Sequence, residues 1–110
     1  MSKLIFTQRA ATEFEALKTD ESAQAVYKAV RKALGYLELN PRHPSLETHE
    51  YTSMTGVRGE KVFEAYAQNQ TPGAYRIFWH YGPDEQKDNP KNKPKERVAV
   101  ITIVAITPHP

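Results

Sequence analysis

The sequence predicts an α+β domain, with two N-terminal helices packed on a small, mostly antiparallel sheet in the order β-α-α-β-β-β. Apolar residues Ala23, Val26, Val30, Ala33, Leu34 and Leu37 recur at spacings of three and four, the stripe of an amphipathic helix. From Lys61 onward, three segments rich in β-branched and aromatic residues are separated by turn-forming sequences. Helices grouped first and strands grouped later favour helices collected on one face of a sheet. With 110 residues and no visible internal repeat, the chain fits one domain spanning residues 1–110.

Lys3 to Phe6 reads as a short opening strand. Thr7 is a candidate N-cap for a first helix running to about Lys18, with Phe14 and Leu17 facing the core. Asp20 or Ser22 is placed to cap the second helix, which runs to about Leu39 and carries Lys28, Arg31 and Lys32 between its apolar positions. Asn40-Pro41 stops it, because a residue before proline disfavours the helical region. A polar connector with His43, Pro44 and His49 follows, and Met54-Thr55-Gly56 and Gly59 mark turns. Lys61 to Ala67 and Ala74 to Tyr81 read as a hairpin joined by the turn sequence 68–73. A loop dense in lysine, proline and asparagine runs from Asp84 to about Lys95. Arg97 to Thr107 is the last strand, and its near-continuous apolar character fits a central position buried on both faces.

Composition narrows the classes of function. The chain has no cysteine, which excludes disulfides, thiolate nucleophiles and zinc–thiolate sites and suits a cytoplasmic protein. The N-terminus turns polar too soon for a signal peptide, and the apolar run from Val98 to Ile106 is too short to span a bilayer, so no membrane partner is expected. A formal net charge of +2 permits a polyanionic partner without requiring one. Four scattered histidines with no i,i+4 pair make a poor metal signature, and neither a metal nor another cofactor is expected.

The segment Leu39-Asn40-Pro41-Arg42-His43-Pro44 after the helical hairpin, the strand Ala74-Tyr75-Arg76-Ile77-Phe78-Trp79, and a closing apolar strand followed by His109 come in an order that resembles the RelE/ParE family of toxins from bacterial toxin–antitoxin systems. The resemblance covers nearly the whole chain. It implies a RelE-like fold, a cognate antitoxin as partner, and, in the ribonuclease branch, an endoribonuclease that enters the ribosomal A site and cuts mRNA. That cleavage uses the RNA's own 2′-hydroxyl as nucleophile. The site must supply a base, positive charge for the phosphate and an acid for the leaving oxygen.

On that resemblance Arg76 takes the family's arginine position, where a guanidinium clamps phosphate oxygens, and Arg76→Ala is expected to leave folding nearly intact while cutting the cleavage rate about ten-fold or more; the plain alternative is a surface arginine on the open face of the sheet. Strand alternation places Arg76, Phe78 and His80 on one face and Tyr75, Ile77, Trp79 and Tyr81 on the other. His109 is the candidate acid or base, against the alternative of a solvated terminal residue. Glu64, on the neighbouring strand, is either a catalytic base or half of a cross-strand ion pair, with Glu47 and Glu60 as weaker versions. His80 and Phe78 are candidates for phosphate contact or base stacking. Lys61 and the loop lysines Lys91, Lys93 and Lys95 are candidate RNA contacts, although Asp84, Glu85, Asp88 and Glu96 dilute the loop's charge and a solvated hairpin connection explains it as well.

The chain departs from the family's ribonuclease pattern in one strand. Val62 and Glu64 stand near positions where those members carry basic residues, with Lys61 just outside, and the insertion after Tyr81 is long. Two other readings therefore stay open: a ParE-like toxin that inhibits DNA gyrase by binding, and a catalytically silent, partner-binding module of the same fold.

Overall fold

A computed structural model describes residues 1–69, 72–88 and 94–109. Strand β1 (Lys3–Phe6) leads into helix α1 (Gln8–Thr19), and a 3-10 turn at Glu21–Ala23 leads into helix α2 (Gln24–Leu39). A second 3-10 turn at Pro44–Leu46 precedes β2 (His49–Thr55), β3 (Lys61–Tyr66) and β4 (Tyr75–Tyr81). Two short strands, β5 (Glu85–Lys87) and β6 (Glu96–Val98), come before the long β7 (Val100–Pro108). The main sheet has five strands in the order β1-β7-β4-β3-β2, antiparallel except that β1 runs parallel to β7. The protein is thus α+β with a mixed, mostly antiparallel sheet. Among the described residues no helix is long and apolar enough to cross a membrane.

The helix starts follow from local chemistry. Thr7 caps α1, its hydroxyl oxygen accepting from the Ala10 N–H at 3.1 Å. Asp20 caps the 3-10 turn, its carboxylate accepting from the Ser22 N–H at 2.9 Å. The apolar stripe of α2 buries Val30, Ala33, Leu34 and Leu37 against Ile77, Trp79, Ile101, Ile103 and Ile106 of the sheet. At roughly 1.5–3 kcal/mol for each large apolar side chain, this layer is the main source of stability. The other face of the sheet is also partly covered. Val62, Phe78 and Ala105 form a second cluster there with Tyr51 and Met54 packed over it.

A register shift places Phe78 opposite Ala105 and Trp79 opposite Ile103, so Val104 is an extra residue in β7. Helix α1 satisfies the backbone around this bulge. The Thr7 hydroxyl donates to the Val104 carbonyl at 3.0 Å, and the Glu13 carboxylate accepts from the Ile106 N–H at 2.9 Å. The bulge therefore fixes the approach of helix to sheet and the exit direction of the chain toward His109.

Two expectations about organisation are corrected. Residues 49–55 form a fifth sheet strand where a polar connector was expected, and Gly56–Gly59 is the turn of the β2–β3 hairpin. Arg97 to Thr107 is two strands, because the chain breaks at Ala99: β6 pairs with β5 in a separate ribbon, and β7 alone enters the sheet. Asp84 anchors that break by accepting from the Val100 N–H at 3.0 Å while its other oxygen takes the Arg97 Nε–H at 2.6 Å.

Candidate functional site

On the sheet face away from the helices, five side chains from β2, β3, β4 and the residue after β7 converge. The β2–β3 register sets His49 opposite Glu64, and the β3–β4 register sets Tyr66 opposite Arg76. His109 follows β7 and is held by its backbone N–H, which donates to the Ala74 carbonyl at 2.8 Å. Glu64 is the centre of the group and is 1% exposed. Its Oε1 lies 2.7 Å from His49 Nε2, its Oε2 lies 2.7 Å from His109 Nδ1, and Arg76 Nε stands 3.9 Å from Oε2. A carboxyl group buried this far is costly without polar partners, and these three groups surround it.

The two histidines are not equivalent. A carboxylate can only accept, so His109 Nδ1 carries hydrogen, and its Nε2 has no hydrogen-bond partner among the described residues, in a ring about half exposed. His49 presents Nε2 to Glu64 and Nδ1 to the Glu47 carbonyl at 2.9 Å, both acceptors. Glu47 delivers that carbonyl by ending the 3-10 turn in the left-handed region, at φ 45°. His109 thus has the geometry of a proton carrier, while His49 is held at both ring nitrogens.

Arg76 is 8% exposed, which corrects the picture of a surface arginine on an open face. Its guanidinium lies over the Tyr66 ring, 3.8 Å from the centroid, and Nη1 donates to the Gln68 carbonyl at 2.6 Å. The cause lies in β3 and the turn after it: the Tyr66 ring covers the guanidinium, and the Gln68 carbonyl draws it down onto the sheet. Phe78 is corrected as well. At 1% exposed under the Tyr51 ring, it has no face free to stack on a base. Trp79 packs beneath the helices, as alternation requires, although its buried indole N–H has no partner among the described residues.

His80 occupies the same face as Arg76 but is buried, and it lines a separate cavity of about 220 Å³ with Glu60, Thr102, Pro83 and Val104. Its Nδ1–H donates to the Tyr81 carbonyl at 2.9 Å, and its Nε2 stands 4.0 Å from Glu60 Oε2. The Glu60 carboxyl is held below its ordinary value of 4.5 chiefly by its own backbone N–H and then by that of Arg58. Lys61 lies on the exposed rim, 3.6 Å from Glu50. Lys95 is exposed and 3.6 Å from Asp88, away from the Glu64 group, while Lys91 and Lys93 lie outside the described residues.

The structure therefore brings Glu64, Arg76 and His109 together, adds His49 and Tyr66, and leaves Lys61, Lys95 and His80 apart from them. His49 was weighed only as part of a metal site. Among the described residues no group of three His, Asp or Glu side chains is arranged to hold a metal ion. The one signal for His49 was faint: Gly56 and Gly59 bracket a tight turn before Lys61, which leaves room for a strand ahead of it, although His49 to Ser53 is mostly polar. Comparison with protein-family models, with curated proteins and with solved structures returns no match.

Proposed function

We propose that the chain is a RelE-like toxin that cuts mRNA on the ribosome as a metal-independent endoribonuclease. One observation carries this reading: a half-exposed imidazole, His109, is oriented by a buried carboxylate, Glu64, with its Nε2 left free. This is the carboxylate–histidine arrangement that fixes a tautomer and steadies the imidazolium formed on proton uptake. The Arg76 guanidinium stands against the same carboxylate and His49 holds its other oxygen, so positive charge and ring donors gather where a phosphate would be met.

In this reaction His109 Nε2 takes the proton of the 2′-hydroxyl, and the 2′-oxygen bonds to the neighbouring phosphorus. The bond from phosphorus to the 5′-oxygen breaks, and that oxygen takes a proton from water. The products are a 2′,3′-cyclic phosphate and a 5′-hydroxyl end. Glu64 acts through His109 as a positioning residue, because both its oxygens already have partners. Arg76 contributes charge from beneath the site rather than an open clamp. In a cell such a protein requires an antitoxin, for which the edge strands β1 and β2 are templates.

The test is a reconstituted translation reaction with purified protein, in which mRNA 5′ ends are mapped with and without ribosomes. New 5′-hydroxyl ends that need ribosomes support the reading. Intact mRNA, with gyrase supercoiling inhibited instead, overturns it in favour of a ParE-like toxin.

A further inference from the structure

The cavity beside His80 presents hydrogen-bond acceptors with few donors. In the neutral imidazole, His80 gives its only N–H to the Tyr81 carbonyl, so Nε2 faces the cavity as an acceptor. Glu60 Oε1 is held by the Arg58 backbone N–H at 2.8 Å, while Oε2 stands 4.0 Å from His80 Nε2, too far for a bond between them. The Thr102 hydroxyl donates to the Gly82 carbonyl at 2.8 Å and likewise has only lone pairs left. Pro83, Val104 and Val57 supply apolar walls, and the exposed Arg58 stands at the rim as a donor. Gly56 makes room for this arrangement, because a Cβ there would run into the Glu60 carboxylate.

We propose that this cavity is a base-recognition subsite that takes a guanine of the bound RNA. Guanine presents adjacent N–H donors, the N1–H and the 2-amino group, which fit between Glu60 Oε2 and His80 Nε2. Its O6 acceptor then points toward the Arg58 rim. Uracil offers one N–H flanked by two carbonyls, which would face acceptors in the same position. The volume of about 220 Å³ falls below the roughly 300–1,000 Å³ of drug-sized sites, so it holds one ring system with the sugar and phosphate outside. Along β4, four residues separate Arg76 from His80, about 13 Å at ~3.3 Å per residue. The recognised base therefore belongs to a nucleotide near the cut but distinct from it. This inference rests on the ribonuclease reading for its RNA, and the deciding measurement needs no cleavage.

The four ribonucleoside monophosphates are titrated into the isolated, isotope-labelled protein, with amide shifts followed by NMR. GMP is expected to shift the amides of Val57, Glu60, His80 and Thr102 and to bind about ten-fold or more tightly than UMP, the discrimination of one good base-edge pair. Glu60→Gln, which keeps the size of the side chain, is expected to erase the preference. Gly56→Ala, which displaces the carboxylate, is expected to weaken GMP without affecting the His109 region. Equal affinity for all four nucleotides, or shifts confined to the surroundings of Glu64 and His109, overturns the subsite. Ribosome-dependent cleavage with no guanine preference removes the subsite alone; guanine preference with no cleavage removes the ribonuclease reading alone.

Discussion

His109 Nδ1 lies 2.7 Å from Glu64 Oε2, although 45 residues separate the two in sequence. The contact closes because β7 passes beside β4 and β4 beside β3, so the residue after β7 reaches across two strands to the buried carboxylate. The proton-transfer role proposed for His109 depends on that closure.

Arg76 is a structural residue as much as a functional one. Its removal leaves the Glu64 carboxylate buried with one cation fewer and strips the cover from Tyr66. Arg76→Ala is expected to lower stability by about 3–5 kcal/mol, the cost of breaking a buried pair from one side. Denaturant midpoints check this. A midpoint unchanged from the parent places Arg76 at the surface after all. Activity lost in this variant must be read beside its stability.

Glu13 is exposed to a test free of the candidate site. Its carboxylate takes the Ile106 N–H beside the bulge, and no sheet partner replaces it. Glu13→Ala is expected to cost about 1–3 kcal/mol, the penalty of orphaning a partly buried donor. The Ile106 amide should then exchange with solvent much faster than in the parent. Unchanged exchange at Ile106 contradicts this account of how helix α1 secures the bulge.

The ribbon of β5 and β6 has a pH limit set by Asp84. The Val100 backbone N–H first, and the Arg97 side chain second, hold its carboxyl below the ordinary value of 3.8. A carboxyl depressed in the folded state stabilises fully above its unfolded value and loses that contribution as pH falls through the folded one. The Val100 amide should stay protected above about pH 4 and become exchange-labile only in more acidic solution. Asp84→Asn should show no such acid step. A step near neutral pH in the parent contradicts the assignment.

Much of the fold was legible because periodicity and punctuation agreed. Thr7, the stripe from Val26 to Leu37, and Asn40-Pro41 define both helices closely, and β1, β3 and β4 begin within a residue of their expected places. Strand β2 was hidden because His49-Glu50-Tyr51-Thr52-Ser53 reads as polar loop; an edge strand with one face toward solvent needs few apolar residues. The break at Ala99 was hidden because Val98 and Val100 continue an apolar run, while the groups that hold the backbone there, the Asp84 side chain and the Lys3 and Gly82 N–H groups, come from far upstream. For the site, alternation correctly put Arg76 and His80 on one face. Burial was not legible, because it depends on Tyr66 lying over the guanidinium and on the Gln68 carbonyl meeting it. His49 was missed because β2, which carries it, was missed.

The central claim is that His109, oriented by Glu64, carries the proton in RNA cleavage. It is tested most directly by the single-turnover rate of mRNA cutting on programmed ribosomes for the parent and His109→Ala, each with its denaturant midpoint. His109 donates to the buried Glu64 carboxylate at 2.7 Å, so the variant is expected to lose about 1–3 kcal/mol of stability while remaining folded. It should cut at least about 100-fold more slowly, the lower end of general acid–base contributions. Equal cutting rates in the two proteins would contradict the account.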